Sequence, residues 1–244
     1  MCGRFVLAQD IPELMVRYTI THTSTSVAEN EEPSILSHHA SPPRYNIAPS
    51  MHVFTVASDR NGSRYLGRVH WGIRLPWRKE KLLINIRLET ALTTPYFQNL
   101  LSTRRVIVPM QAFYEWKKGT RPPQPFLIRL KDTAHMDIFS VGALWHKSEE
   151  GQTQLALLTK PAEKNLEHLH ARMPLILHRD QEERWLNRSN TDIDDFHTFL
   201  KGETPDLIYY PVSTRVNQST IDDPHLIEPL EREQDENIEH DDHA

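Results

Sequence analysis

The sequence has few of the features that mark secreted, membrane-bound or metal-dependent proteins. Its 244 residues include one cysteine, Cys2, which excludes an internal disulfide and favours a reducing compartment. The chain contains no run of about 18 apolar residues, so no membrane span is predicted. The first residues lack the pattern of a signal peptide. Only 8 residues are glycine, and no Walker loop, dinucleotide fingerprint or zinc-ligand spacing is present. We therefore expect no metal and no cofactor.

Charge is unevenly distributed along the chain. The net charge is −5, yet residues 221–244 hold ten acidic side chains against one arginine, whereas residues 60–131 hold 15 basic side chains against three acidic ones. A basic region that also contains Trp and Tyr is typical of a surface that follows a phosphate backbone while rings stack on bases. A solvated basic face would have the same composition. We expect residues 221–244 to form a disordered acidic tail.

Short apolar runs and the positions of proline predict a mixed fold with more strands than helices. Residues 24–43 lack any period and are expected to form a loop inserted into a single domain of residues 1–220. Because the strands are not joined by regular helical crossovers, we predict an α+β fold. Its core should be sheet-rich, mixed or antiparallel and barrel-like, with flanking helices. The predicted strands are 52–57, 82–86, 105–108, 125–130, 138–144 and 155–159, and the predicted helices are 12–17, 95–102, 161–168, 181–186 and 193–200.

Cys2 directly follows the initiator methionine, and this position can give it two nucleophiles. If Met1 is removed, Cys2 carries a free α-amine beside its thiol, and such an amine has a usual pKa of about 7.7–8.0. An aminothiol adds to an aldehyde as an imine and then closes a five-membered thiazolidine ring. An internal cysteine cannot do this, because its nitrogen is an amide. The position is also compatible with a small buried residue at the start of a strand.

Three other segments contain side chains that could carry proton transfer or bind phosphate. Glu115 lies among aromatic residues, where burial would raise its pKa and favour proton exchange. His170 and Arg172 alternate in an extended segment, as do Asn85 and Arg87. An ion-paired strand end, an exposed histidine and an edge-strand polar face are the structural alternatives. Aromatic side chains that could stack on bases, or simply fill the core, are Trp71, Trp77, Tyr114 and Trp116.

Taken together, these segments resemble the SRAP family, the SOS response-associated peptidases or abasic-site processing proteins. The matching pieces appear in family order and span residues 2 to about 220. They are Cys2-Gly3-Arg4-Phe5, Arg44-Tyr45-Asn46-Ile47-Ala48-Pro49, Trp71-Gly72-Ile73, Asn85-Ile86-Arg87-Leu88-Glu89-Thr90, Val108-Pro109, Phe113-Tyr114-Glu115-Trp116, His170-Ala171-Arg172-Met173-Pro174, and Val212-Ser213 with Val216-Asn217. Each piece is short, but their joint presence in this order is specific.

The resemblance implies a partner and a chemistry. The partner is single-stranded DNA containing an abasic site, and the chemistry is a thiazolidine crosslink through Cys2, with abasic-site lyase activity and self-removal of Met1. The implied catalytic residues are Cys2 as nucleophile, Asn85 orienting the amine or sugar, Glu115 transferring protons, and His170 protonating the sugar oxygen. The implied DNA contacts are Arg4, Asn46, Pro49, Trp71, Trp77, Arg87, Trp116 and Arg172. The implied fold is a sheet-rich α+β core with a basic cleft.

The sequence departs from the family pattern at a few positions. Ile86 and Leu88 replace small residues, so the face of the strand opposite Asn85 must be repacked. Alternation along a strand would still keep Asn85, Arg87 and Glu89 together. Ala171 replaces an aspartate, which removes a carboxylate next to His170.

Two other functions use some of the same residues. An N-terminal-nucleophile hydrolase would employ Cys2 on an amide, and a non-catalytic reader of single-stranded or modified DNA would need only the basic cleft and the tryptophans. Nothing in the sequence demands more than a monomer. We expect a protein that is not secreted and does not bind membranes, cytoplasmic and nucleoid-associated in a bacterium or nuclear in a eukaryote.

Overall fold

Strands dominate the part of the chain described by the computed structural model, which comprises residues 2–20, 22–23, 42–117, 119, 121–131, 136–163 and 166–230. The strands are β1 (Phe5–Leu7), β2 (His22–Thr23), β3 (Arg44–Ile47), β4 (His52–Ser58), β5 (Arg64–Trp71), β6 (Ile73–Leu75), β7 (Arg78–Leu83), β8 (Asn85–Arg87), β9 (Arg105–Met110), β10 (Ala112–Lys117), β11 (Gln124–Leu130), β12 (Phe139–Lys147), β13 (Thr153–Pro161), β14 (Arg172–Pro174), β15 (Ile176–Leu177) and β16 (Leu207–Pro211). The helices are α1 (Ile11–Tyr18), α2 (Leu88–Thr93), α3 (Pro95–Thr103), α4 (Arg179–Leu186) and α5 (Ile193–Lys201).

The largest sheet closes on itself. Its strands run in the order β14-β13-β12-β9-β4-β5-β2, and β13 also pairs in parallel with β5 through Gln154–His70 and Leu155–Trp71. Strands β13, β12, β9, β4 and β5 therefore form a ring, and their alternating inward residues fill it. The predicted α+β class and barrel-like core are confirmed.

A second, five-stranded sheet carries the start of the chain. Its order is β16-β11-β10-β1-β3, and all neighbours are antiparallel. Phe5 of β1 pairs with Phe113 of β10, so the chain preceding β1 runs beside the end of β10 where Glu115 lies. In the closed sheet, β8 lies along β13, with Asn85 opposite Leu157. These pairings bring residues distant in sequence to one edge of the barrel.

Helix α1 illustrates how local sequence starts and stops an element. Asp10 accepts a hydrogen bond from the Glu13 backbone N–H, and the Glu13 side chain accepts from the Asp10 N–H, forming a reciprocal capping box. Thr19 ends the helix in the left-handed conformation with φ 52°. The apolar face, Ile11, Leu14 and Tyr18, is buried. Such a face contributes about 1.5–3 kcal/mol for each large side chain removed from water.

The strand predictions agree closely with the structure except around residue 84, where β7 ends at Leu83 and β8 begins at Asn85. The helix predicted at 161–168 is wrong. Pro161 is the last residue of β13, opposite Arg172, and the Leu169 N–H donates to the Leu166 carbonyl in a tight turn. A proline that lacks an N–H suits the first turn of a helix, but it also suits the end of a strand where one side is unpaired. The pairings of β13 with β12 and β8 stop at Leu157 and Thr159, before Pro161. Of the predicted inserted loop, residues 24–41 lie outside the described part.

The tail predicted from residue 221 is wrong for residues 221–230. The Asp222 carboxylate accepts hydrogen bonds from the backbone N–H groups of Tyr45 and Asn46 and from the Arg44 side chain. A short 3-10 helix, Pro224–Ile227, then buries Leu226 against a second, smaller apolar cluster. The prediction from acidic composition missed two structural residues, Asp222, which binds β3, and Leu226, which is buried. Residues 231–244 lie outside the described part.

Candidate active site

Cys2 lies fully buried just ahead of β1. Its Sγ is 3.9 Å from the Arg4 carbonyl oxygen, and that oxygen also accepts from the Tyr114 N–H at 3.0 Å. Burial raises the pKa of the Cys2 thiol, and the negative charge of Glu115 raises it further. The sulfur is therefore held as a thiol, and a neighbouring base is required before it can act as a nucleophile.

Asn85 joins Cys2 from the other sheet. Its Nδ2 donates to the Cys2 carbonyl oxygen at 2.9 Å, and its side chain is 9% exposed. The Oδ1 of Asn85 is buried and has no hydrogen-bond partner among the described residues. A buried acceptor without a donor costs about 1–3 kcal/mol, and such an atom is suited to receive an N–H or O–H that arrives with a ligand.

Glu115 supplies a carboxyl group near the same cysteine. It is 4% exposed at the end of β10, and burial raises its pKa above the usual value. Positive charges at the amino terminus and on His170 act in the opposite direction. A carboxyl group with a raised pKa exchanges protons more readily near neutral pH than an ordinary glutamate does.

His170 completes the cluster from the turn before β14. Its Nδ1 lies 3.0 Å from the backbone nitrogen of Arg172 and 3.1 Å from the Arg172 carbonyl oxygen, so the backbone of Arg172 holds the ring in place. The Asn85–Cys2 hydrogen bond and the electrostatic interactions of Glu115 with Cys2 and His170 link all four residues. The structure thus brings the four predicted catalytic side chains together, and their individual roles stay predictions.

Two predicted DNA contacts make structural hydrogen bonds, and one of them is fully buried. Asn46 is fully buried, and its Nδ2 donates to the carbonyls of Val216, Gln218 and Ile221 while its Oδ1 accepts from Arg4. No part of Asn46 is accessible to DNA in this arrangement. Arg4 also donates to the Val216 carbonyl at 2.6 Å, so its guanidinium connects the N-terminal segment to the C-terminal one.

The three tryptophans predicted to contact DNA differ sharply in exposure. Trp71 is fully buried, packs on Phe5 with ring centroids 5.4 Å apart, and donates from Nε1 to the Ile84 carbonyl at 3.0 Å. The prediction that it stacks on bases is therefore wrong, and its contact instead supports the segment leading to Asn85. Trp77 is 63% exposed at the β6–β7 turn, with its ring against Tyr96.

The remaining predicted DNA contacts lie at least partly at the surface. Trp116 is half-buried, and its Nε1 donates to Asn217 Oδ1 at 2.6 Å, while Pro49 is half-buried in the turn after β3. Arg87 is exposed at the end of β8, although its neighbour Asn85 is buried. The chain turns into α2 immediately afterwards, so the expectation that Glu89 continues the strand is wrong. Ile86 and Leu88 fill the core, as their size requires.

Arg172 is held by two residues that were not singled out as site residues. Its guanidinium forms a bidentate ion pair with Glu89, and Nη2 also donates to the Thr159 carbonyl at 2.6 Å. Thr159 is an inward residue of a buried strand, and nothing in its local sequence marks it. Glu89 lies within the motif that begins at Asn85, and this position was the only indication in the sequence that it belongs to the site.

The described residues contain no group of three or more His, Cys, Asp or Glu side chains arranged to hold a metal ion. Within the same residues, every helix is too short or too polar to cross a membrane.

With this geometry in place, comparison with known proteins identifies the class. The family described as SOS response associated peptidase (SRAP) matches residues 1–219, and the chain belongs to that family. The abasic site processing protein YoqW of Bacillus subtilis is 34% identical, with 93% of this chain and 99% of that protein covered. The abasic site processing protein YedK of Escherichia coli is 27% identical over 94% of this chain and all of its own length.

A solved structure supports the fold independently. A crystal structure of a protein from Bacteroides thetaiotaomicron covers 94% of this chain and 100% of its own, with a TM-score of 0.73 at 20% identity. At that identity the likeness concerns the fold alone.

Proposed function

We propose that the protein processes abasic sites in single-stranded DNA by capturing them covalently through Cys2 after removal of Met1. The observation that carries the proposal is the Asn85–Cys2 hydrogen bond of 2.9 Å, which holds Cys2 in a cluster where Glu115 interacts electrostatically with both Cys2 and His170. Membership of a family whose relatives are named abasic site processing proteins supports the same conclusion.

The chemistry follows from the two nucleophiles on adjacent carbons of Cys2. Hydrolysis of the Met1–Cys2 peptide bond consumes one water and exposes the α-amine. The amine adds to the C1′ aldehyde of the ring-opened deoxyribose, and loss of water gives an iminium ion. The thiol then adds to the iminium carbon and releases its proton, which closes the thiazolidine. Crosslinking therefore releases one water overall and needs no oxidant or external energy source.

Each neighbouring residue has a definite task in this scheme. Because burial keeps the Cys2 sulfur protonated, the carboxylate of Glu115 accepts the proton as the C–S bond forms. His170, whose ring is held by the backbone of Arg172, donates a proton to the sugar ring oxygen, which promotes ring opening to the aldehyde. The Oδ1 of Asn85 accepts from the new α-amine and holds it in line with C1′.

Lyase activity branches from the iminium intermediate. A base removes a proton from C2′, and the C3′–O bond breaks with the phosphate leaving, so the strand is cut while Cys2 remains attached until water hydrolyses the imine. Exposed Arg87 and Trp77 supply a cation and a ring for the flanking single strand. Contacts of this kind read no sequence, so binding should fall steeply with salt and the finished crosslink should resist it.

Mass spectrometry of the untagged protein with single-stranded DNA carrying one abasic site tests the proposal. We expect loss of Met1 and a denaturation-resistant adduct of protein plus DNA minus one water. Cys2→Ser is the matched control, because it keeps the amine and should give only an imine that requires borohydride trapping. A form that retains residues ahead of Cys2 should give neither product.

Three results would contradict the proposal. A stable adduct with Cys2→Ser would show that the thiol is not involved. Binding without any adduct or cleavage, despite confirmed Met1 loss, would indicate a non-catalytic reader of DNA. Turnover of an amide substrate without DNA would indicate an N-terminal-nucleophile hydrolase.

A further inference from the structure

Glu89 and Arg172 form an ion pair beside the proposed catalytic cluster. The two carboxylate oxygens of Glu89 accept from the two terminal nitrogens of Arg172, with Nη2–Oε2 at 2.8 Å. Arg172 is 12% exposed, whereas Glu89 is 41% exposed. The hydrogen bonds from Arg172 lower the pKa of Glu89, which keeps the carboxylate charged.

The pair spans one strand of the barrel. Strand β13 lies between β8 and β14, with Thr159 opposite both Arg87 and Pro174. Glu89 follows β8 in the first turn of α2, and Arg172 begins β14. The ion pair therefore ties the two strands that flank β13, and Nη2 of Arg172 is anchored to the Thr159 carbonyl of the strand between them.

Each end of this bridge leads directly to a proposed catalytic residue. Asn85 lies on β8, four residues before Glu89. At the other end, the backbone N–H of Arg172 donates to Nδ1 of His170 at 3.0 Å. A guanidinium held by four hydrogen bonds fixes its own backbone, and that backbone contacts Nδ1 of His170 through both its N–H and its carbonyl oxygen, which sets the orientation of the ring.

We propose that Glu89 is a positioning residue, which fixes His170 relative to Asn85 by clamping Arg172 across β13. The role rests on the proposed function for its effect on rate, but the orientation of His170 can be measured without any reaction. The guanidinium of Arg172 therefore has a structural role before any DNA binds, because its terminal nitrogens already donate hydrogen bonds to Glu89 and Thr159.

Glu89→Gln is the test, because glutamine keeps the size of the side chain and removes the charge and one acceptor. Crosslinking is measured against DNA concentration, which separates binding from the rate at saturation. We expect the saturating rate to fall about tenfold, since a small displacement of a catalytic group is costly. DNA binding should not weaken, because the substitution removes a negative charge close to Arg87 and Arg172.

A second readout reports His170 directly. In the uncrosslinked protein, the imidazole nitrogen-15 NMR signals of His170 should report a single fixed ring environment. Glu89→Gln should shift or broaden these signals, as the Arg172 backbone at Nδ1 loses its fixed position. A residue that merely stabilises the fold would not change this signal.

Asp195→Asn is the matched control, because Asp195 forms a comparable bidentate pair with Arg184 on α4 and α5. It should leave the saturating rate and the His170 spectrum unchanged. The proposal is overturned if Glu89→Gln leaves the His170 imidazole spectrum unchanged, or if it weakens DNA binding at an unchanged saturating rate. If the wild-type protein formed no adduct, the proposed function would fail, and the NMR measurement would still decide the role of Glu89.

Discussion

Two regions of the molecule bury strongly polar side chains, and they do so in opposite ways. Arg105 on β9 is 7% exposed, and its guanidinium donates to five backbone carbonyls, those of Leu101, Ser102, Trp185, Asn187 and Asn190. Every N–H of the guanidinium is used. Beside Cys2, by contrast, the buried Oδ1 of Asn85 has no partner among the described residues.

The difference distinguishes a structural polar group from a reactive one. Burial lowers the pKa of Arg105 to about 10, but the carbonyls around it compensate the charge, and the group closes the ends of α3 and α4. Around Cys2, burial instead raises the pKa of Glu115 and of the thiol. An unsatisfied acceptor of this kind is what the proposed function requires at the place where the substrate would bind.

Glu115→Gln gives the largest expected effect on the reactive side of this comparison. Without a base for the thiol proton, we expect crosslinking to slow by about 10²–10⁴-fold. Rapid-quench sampling followed by denaturing electrophoresis would measure the rate. A variant that crosslinked at the wild-type rate would show that another group accepts the proton.

The same substitution should change stability in the direction opposite to the usual carboxylate. Because the pKa of Glu115 is raised on folding, the native state binds more protons than the unfolded state above the usual pKa, and stability falls as pH rises through the raised value. Glu115→Gln should therefore be more stable than wild type at neutral pH. Urea titrations at several pH values should show this advantage disappearing in acid.

Arg105→Leu tests the structural side. The substitution leaves five carbonyls without their donor, and we expect a loss of about 3–5 kcal/mol in the free energy of unfolding. Urea denaturation measures the loss. The crosslinking rate per folded molecule should not change, and a selective loss of that rate would erase the distinction between the two regions.

A pair of buried asparagines sharpens the comparison. Asn85→Ala should reduce the crosslinking rate by about a hundredfold, because the N-terminal residue loses its fixed position. Asn46→Ala removes three hydrogen bonds to the C-terminal segment and should chiefly lower the melting temperature. Measuring both quantities for both variants gives the test, and an exchange of the two effects would reverse the assignments.

The smallest effect is expected at the exposed aromatic. Trp77→Ala should weaken binding of single-stranded DNA by about 1–3 kcal/mol, the usual contribution of a stacked base, with little change in stability. Fluorescence anisotropy at low salt measures the binding. If Trp77→Ala bound DNA as wild type does, the ring would have no part in the interface.

The sequence predicted the class of fold and the four residues that lie together around Cys2 better than it predicted the residues that surround them. Ordered motifs around Cys2, Asn85, Glu115 and His170 named the residues that the two sheets bring together. Local patterns could not separate Trp71 from Trp77, since exposure depends on which strands cover a ring. The structural role of Asn46 could not be predicted either, because its hydrogen-bond partners lie about 170 residues later in the chain.

Composition misled most at the C-terminal segment. Ten acidic residues predicted a disordered tail from residue 221, yet the Asp222 carboxylate accepts hydrogen bonds from two backbone N–H groups of β3. A charged residue whose partner is the backbone of a distant strand leaves no local signal. The helix predicted at 161–168 failed for a related reason, because strand pairing with Arg172 outweighed the helical preference of the local sequence.

The hydrogen bond between Arg4 and Val216 also sets an order of events in folding. The residues that support Cys2 come 83 residues later at Asn85 and, through Arg4, 212 residues later at Val216. Strand β1 therefore gains its complete set of contacts only after residue 216 has been synthesised and has folded onto it. Until then, Cys2 is not enclosed by the residues that surround it in the folded chain.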